Sequence, residues 1–208
     1  MNFKQIHDER KSFINKYKNC DHKVMEGRTK ILISAPHGVS QVRLGKPKFS
    51  EIGSLATALE LHKRTGSYLV AKTKNNFDDA NFDEASNYKK TIKKIIEDKD
   101  IRYLIDFHGL CASRDCDINL GTHLGQNIKT DEIAFNGLYK ELVQNGFKTT
   151  IDQPFMAGAR TISGSMASLY KNLWTIQIEI NCSITNKKEN FRRYQKLLDI
   201  LEDWIKSI

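Results

Sequence analysis

The sequence predicts a single α/β domain over residues 1–208, folded as a three-layer α/β/α sandwich with a mixed central sheet. Apolar, β-rich runs alternate along the chain with amphipathic segments of helical period, which is typical of this architecture. The 208 residues, of which 39% are hydrophobic, are enough for one substantial core, and no Pro/Gly/Ser-rich linker divides them. The predicted strand 117–121 follows its predecessor without room for a helix, so the sheet is expected to be mixed.

The first third of the chain predicts two helices and one strand. Residues 3–17 place their apolar side chains roughly on one side, which favours a helix. The apolar run 30–35 predicts a strand. A helix is predicted over 51–65, with Ser50 as its N-cap and Gly66 just beyond its last turn.

The middle of the chain continues the alternation. A strand is predicted over 67–73, and Asp83 can cap a helix that runs to about Asp98 behind a stripe of tyrosine and isoleucine. The apolar run 101–107 predicts the next strand, and 117–121 predicts another.

The last third ends in the strand with the strongest β signal. Thr130 is predicted to cap a helix over 131–145, and 147–151 is expected to form a short strand. Residues 173–180 are rich in β-branched side chains and predict a central strand. The final helix is predicted over 187–206, opened by an Asn186…Glu189 capping box.

Composition narrows the class of protein. The net charge is +8, but the lysines are spread over every predicted helix among acidic residues, so nucleic-acid binding is not expected and a small anionic substrate is favoured. The four cysteines form no Cys-x-x-Cys pair, which argues against a disulfide framework or a cysteine zinc site. No apolar run suits a signal peptide or a membrane span, and a cytoplasmic location is predicted.

Three short segments at strand ends carry the candidate chemistry. They are Ser-Ala-Pro-His-Gly at 34–38, Asp-Phe-His-Gly at 106–109 and Gln-Ile-Glu-Ile-Asn at 177–181. The carboxyl ends of strands are where α/β sheets place their site residues. Histidines from two segments and a carboxylate from the third therefore predict a metal-assisted hydrolase.

Each of these residues also has an ordinary interpretation when taken alone. His37 fits a packed or solvated loop histidine, and Glu179 fits a strand with one solvated face. Glu51 would be a favourable acid in the first turn of a helix. Arg43 and Arg160 fit either solvated surface residues or holders of a substrate carboxylate, which a guanidinium can bind through two hydrogen bonds.

The ordered series of motifs resembles the N-formylglutamate amidohydrolase-like family. The series comprises the three strand-end segments together with Arg43-x-Gly-Lys-x-Lys-x-x-Glu51, Asp79-Ala-Asn-Phe-Asp83 and Asp117-Ile-Asn-Leu-Gly-Thr122. The resemblance covers roughly residues 30–182. It implies a phosphorylase/hydrolase-like α/β/α fold, related in plan to the zinc carboxypeptidases, and a zinc-dependent amidohydrolase that acts on an amide near a carboxylate.

The resemblance also implies roles for particular residues. His37, Glu51 and His108 would hold one zinc ion, and Glu179 would act as the general base. Arg160, with Arg43, would bind the substrate carboxylate, and Asp106 would orient His108. Manganese or iron would also suit these ligands.

Two other functions remain open at this point. One is a metal-dependent esterase or phosphoesterase that uses the same site. The other is a non-catalytic basic binding module that keeps the fold without turnover. The oligomeric state is left open.

Overall fold

A computed structural model describes residues 2–208. The helices are α1 (Phe3–Tyr17), α2 (Ile52–Thr65), α3 (Asn87–Lys99), α4 (Glu132–Gln144), α5 (Ile162–Leu169), α6 (Cys182–Thr185) and α7 (Phe191–Ser207). The strands are β1 (His22–Met25), β2 (Ile31–Ala35), β3 (Gln41–Arg43), β4 (Lys46–Lys48), β5 (Tyr68–Lys72), β6 (Tyr103–Leu110), β7 (Ile118–Gly121), β8 (Thr149–Ile151) and β9 (Trp174–Asn181). Within this part of the chain, no helix is both long and apolar enough to cross a membrane.

Seven of the strands form one mixed sheet in the order β1-β5-β2-β6-β9-β7-β8. The four central strands β5, β2, β6 and β9 are parallel, whereas β1 runs antiparallel to β5, and β7 antiparallel to β9. The predicted mixed sheet is confirmed, and β7 is antiparallel, as its short connection to β6 requires. Strands β3 and β4 form a separate hairpin.

Helices cover both faces of the sheet. One face carries Ile33, Phe107 and Ile178, which pack in a single cluster with the apolar sides of α1, α2, α4 and α7. The other face carries Leu32 and Leu104, which pack against α3 and α5 in a second cluster. The predicted three-layer α/β/α sandwich is confirmed, and the alternation of strand side chains assigns each residue to a layer.

The start of α2 differs from the prediction for a reason that matters to the site. Helix α2 begins at Ile52, and Glu51 rather than Ser50 is the N-cap residue. The Glu51 carboxylate makes no capping hydrogen bond, because it accepts instead from the backbone N–H of Gly109 on β6 at 2.9 Å. Gly66 ends the helix in the left-handed conformation, as predicted.

Three other predicted helix starts are corrected by one to several residues. Helix α3 is capped by Ser86, because the carboxylate of Asp83 accepts from the backbone N–H of Asp79. Asp131, not Thr130, caps α4. The capping box at Asn186…Glu189 does not form, since a short 3₁₀ turn at Lys188–Asn190 precedes α7 and no side chain caps either one.

Candidate metal centre

Local backbone connections bring Glu51 and two histidines to one edge of the sheet. His37 follows β2, His108 lies on β6, and β2 and β6 are parallel neighbours. The backbone N–H of Glu51 donates to the carbonyl of His37 at 2.8 Å. A Cβ at Gly109 would lie 3.1 Å from the Cβ of Glu51, so glycine gives the carboxylate room to pass over β6.

The side chains of these three residues meet at one point. The Nδ1 atoms of His37 and His108 are 3.1 Å apart. Glu51 Oε1 lies 2.9 Å from His37 Nδ1, and Oε2 lies 3.3 Å from His108 Nδ1. Ligand atoms at about 2.0–2.1 Å from a tetrahedral zinc ion stand about 3.3 Å apart, so the spacing suits such an ion.

The outer nitrogen of each histidine is bound by a buried carboxylate. His37 Nε2 lies 3.0 Å from Asp79 Oδ1, and His108 Nε2 lies 3.0 Å from Asp106 Oδ2. A carboxylate that accepts from Nε2–H favours the tautomer whose Nδ1 carries a lone pair, and such partners are usual behind metal-bound histidines. Two lone pairs and a carboxylate then face one another, an arrangement that attracts a cation.

The pKa values of His108 and Glu51 also indicate a site for a cation. Burial lowers the pKa of His108, but the carboxylates of Asp106 and Glu51 outweigh it, and the pKa is raised well above its ordinary value. Burial raises the pKa of Glu51, but His37 and His108 outweigh it and lower the pKa well below its ordinary value. The carboxylates around His108 therefore favour a positive charge at the cluster, and a bound metal ion would supply that charge in place of the ring proton.

Glu179 lies beside the cluster on the central strand β9. It is the register partner of His108 on β6 and of Asn119 on β7, and it is 5% exposed. The amide of Gln177 donates to Glu179 Oε1 at 2.8 Å. Burial raises the pKa of Glu179 to about 7.

A cavity of about 340 Å³ opens over these residues, and it is lined on one part by cations. Arg43 donates to Asp79 Oδ2 at 2.6 Å, and Lys48 donates to Glu51 Oε1. The guanidiniums of Arg43 and Arg160 lie 5.2 and 5.5 Å from the centre of the Phe82 ring. The structure thus brings the predicted ligands, the predicted base and both predicted arginines to one cavity, with Asp106 buried behind His108.

Sequence reasoning missed four residues of this region. Asp79, Phe82, Lys48 and Gln177 all fall inside the motifs quoted above, but none received a role. Asp79 contacts both His37 and Arg43, so it links the ligand cluster to the cationic lining. The only available signal was position, since each of the four stands inside a motif that the resemblance uses.

Within the described part of the chain, no second cluster of this kind competes with it. Among residues 2–208, the one group of at least three potential metal ligands whose donor atoms converge within 4.8 Å is His37, Glu51 and His108. A second cavity, of about 770 Å³ between α1, β1 and α2, lies away from this group and is lined by His62, Lys63 and Phe13 among others. We regard the smaller cavity as the functional one, because it holds the converging ligands.

Comparison by sequence finds no relative. No protein-family model matches the chain, and no curated protein matches it.

Comparison by structure finds close agreement in fold. A gene product from Agrobacterium tumefaciens superposes with a TM-score of 0.71 at 11% identity, covering 95% of this chain and 97% of that one. N-formylglutamate amidohydrolase from Ralstonia eutropha has a TM-score of 0.63 at 11% identity, covering 90% and 98%. A bacteriophage poly-γ-glutamate hydrolase has a TM-score of 0.55 at 13% identity, covering 88% and 87%. The chain therefore has the fold of N-formylglutamate amidohydrolase, in agreement with the resemblance of its motifs.

Proposed function

We propose that this protein is a zinc-dependent amidohydrolase that cleaves an amide bond of a carboxylate-bearing substrate. One observation carries the proposal. Donor atoms of His37, Glu51 and His108 converge in a buried cluster, and a carboxylate binds the outer nitrogen of each histidine. Such ligands on the floor of a cationic cavity suit the hydrolysis of an anionic substrate.

The donor set favours zinc as the metal. Two imidazoles and one carboxylate are the ligands of several catalytic zinc sites, which keep a fourth position for water or substrate. Manganese or iron would also accept these ligands. When bound, the ion would lower the pKa of a water molecule and polarise the carbonyl of the amide.

Glu179 is the proposed general base. Its carboxylate is buried beside His108, and one of its oxygens is held by the amide of Gln177. In this role it takes a proton from the attacking water and delivers it to the nitrogen of the departing amine. A group positioned to transfer protons in this way contributes typically 10²–10⁴-fold to the rate.

The cationic lining is proposed to bind the substrate carboxylate. Arg160 extends over Phe82 into the cavity, and a guanidinium can hold a carboxylate through two parallel hydrogen bonds. Asp79 fixes the orientation of Arg43. Two of the solved proteins with this fold are named for glutamate amides, N-formylglutamate and poly-γ-glutamate. This supports an amide close to a carboxylate as the bond that is cleaved.

The first test measures bound metal and activity together. We expect about one zinc per chain by elemental analysis of the full-length protein, and almost none in a His37→Ala/His108→Ala double variant. Glu179→Gln should keep its zinc but lose about 10²–10⁴-fold in kcat towards N-acyl amino acids. These two results separate loss of the metal from loss of the base.

The control uses a histidine outside the cavity. His62→Ala should retain both zinc and activity, because His62 does not line the cavity. Full activity of Glu179→Gln with zinc bound would remove Glu179 from the mechanism. Turnover of phosphate monoesters without turnover of any amide would favour a phosphoesterase instead.

A further inference from the structure

One stretch of the cavity wall is apolar. Pro154, Phe155, Met156 and Ala157 follow one another along the chain, and all four line the cavity over the metal cluster. Phe155 and Met156 are 43% and 42% exposed. Two large apolar side chains thus meet solvent at the entrance of the site.

The backbone of this stretch is held in place by buried asparagines. Asn119 accepts from the N–H of Phe155 at 3.3 Å and donates to the carbonyl of Gln153 at 2.9 Å. Asn127 donates to the carbonyl of Ala157 at 3.1 Å. The N–H of His123 donates to the carbonyl of Met156 at 2.6 Å. The apolar wall is therefore a fixed part of the cavity.

A glycine on the sheet permits this close approach. A Cβ on Gly121 of β7 would stand 2.9 Å from the Cβ of Ala157 and 3.1 Å from the carbonyl oxygen of Phe155. The stretch consequently lies directly against β7, the neighbour of the strand that carries Glu179. A ligand bound at the cluster would contact this wall.

Most of the positive charges that line the cavity are paired with carboxylates of the protein. Lys48 is paired with Glu51, and Arg43 is paired with Asp79. Within residues 2–208, Arg160 is the one cation lining this cavity that has no carboxylate partner. One unpaired guanidinium matches one substrate carboxylate, and a second carboxylate would have to compete with Glu51 or Asp79 for its cation.

From these two features we infer that the preferred substrates are N-acyl derivatives of amino acids that carry a single carboxylate and a bulky apolar side chain. The inference rests on the proposed function and specifies its substrate class. The free carboxylate binds Arg160, and the apolar side chain covers Phe155 and Met156. N-acyl derivatives of glutamate, which carry two carboxylates, are poorer substrates in this cavity.

The test compares three substrates on the zinc-loaded full chain. We expect kcat/KM for N-formylphenylalanine to exceed that for N-formylglutamate by at least about tenfold, which is the discrimination that a modest apolar contact gives. N-formylglycine provides the reference without a side chain. In a Phe155→Ala/Met156→Ala variant, the ratio of kcat/KM for N-formylphenylalanine to that for N-formylglycine should fall about tenfold, mainly through KM.

A control variant shows whether loss of any exposed apolar side chain lowers the activity. Leu124 is an exposed apolar residue that does not line the cavity, so Leu124→Ala should leave all three kcat/KM values unchanged. The inference is overturned if N-formylglutamate is the best of the three substrates, or if the substrate ratio is unchanged in the Phe155→Ala/Met156→Ala variant.

Failure of the proposed function can be distinguished from failure of the inferred substrate class. If the zinc-loaded protein hydrolyses no amide, that function is wrong, and calorimetric binding then tests the cavity alone. Tighter binding of N-acetylphenylalanine than of N-acetylglutamate would support the substrate class as a ligand class. The reverse order would overturn it.

Discussion

The histidines of the candidate metal cluster depend on side chains that touch no substrate. Asp79 is buried, accepts from His37 Nε2 and also receives the guanidinium of Arg43. Burial raises the pKa of Asp79, but His37 and then Arg43 outweigh it and keep the pKa well below its usual range. Asp79 thus remains ionised and holds both a proposed ligand and a proposed substrate-binding residue in position.

Replacing this carboxylate should weaken metal binding without removing a ligand. We expect Asp79→Asn to lower zinc affinity about ten- to a hundredfold, because an amide holds the His37 ring with less charge. A competition titration against a chelator measures this directly. Asp98→Asn, an exposed change on α3, serves as the control, and equal zinc affinity in the two variants would show that Asp79 does not position His37.

The residues of the site were more predictable than the contacts between them. His37, His108 and Glu179 could be singled out because each follows or ends an apolar strand, and a sheet aligns such ends. Asp79 could not be assigned a role, because it lies in a loop without a periodic pattern. Its contact with His37 exists only once the chain has folded. The pairing of Lys48 with Glu51 could not be predicted either, because the motif that contains both residues does not show which side chains touch.

The first turn of helix α2 packs tightly against α6 at Gly53. A Cβ on Gly53 would lie 2.0 Å from Thr185 Oγ1, which belongs to α6 just after the central strand β9. Glycine is required here so that the start of α2, which presents Glu51, can lie against the chain that leaves β9.

A pair of glycine substitutions tests this contact. Gly53→Ala should lower the free energy of unfolding by about 1–3 kcal/mol, because the added methyl group forces α2 and α6 apart. Gly137→Ala on α4 should raise it by about 0.5–1 kcal/mol, since nothing lies within 4 Å of the added Cβ and alanine is the better helix former. Urea denaturation measures both, and a neutral Gly53→Ala would contradict the close approach.

Elements with a clear sequence pattern could be predicted, including the short strands β7 and β8, whereas β1, the β3–β4 hairpin and α5 could not. Helix α1 and the central strands have enough residues for a clear period, and their types were predicted correctly. The β3–β4 hairpin has three residues in each strand, and β1 has four half-buried ones, so neither shows a pattern. Helix α5 contains glycine and serines and forms because Ile162 and Met166 pack in the core.

Across the whole molecule, a buried cation connects the outer strands to the loop that carries Asp79. Lys72 at the end of β5 is fully buried and donates to Asp21, which precedes β1, and to Asp78. Burial raises the pKa of Asp21, but hydrogen bonds from His22 and Lys72 outweigh it and lower the pKa to about 2. The folded protein therefore favours the ionised form of Asp21.

The pairing of Asp21 with Lys72 and His22 predicts that the free energy of unfolding falls at low pH. Because the folded pKa of Asp21 lies below its ordinary value, its contribution is complete above about pH 4 and is lost as the pH falls towards about 2. Asp21→Asn should lower the free energy of unfolding by about 2 kcal/mol at pH 7, and the difference from the wild type should shrink below pH 4. Asp115→Asn is the exposed control, and a difference for Asp21→Asn that does not depend on pH would contradict the pairing.

The position of β9 determines when the sheet can form. Among the strands of residues 2–208, β9 comes last in the chain, yet it lies between β6 and β7 and is the only strand that pairs β7 and β8 with the rest of the sheet. During synthesis, the parts that hold His37, Glu51 and His108 leave the ribosome first, while the sheet is still in two pieces. A nascent chain released before residue 174 would carry all three proposed ligands without Glu179. The proposed general base therefore arrives with the strand that joins the two parts of the sheet.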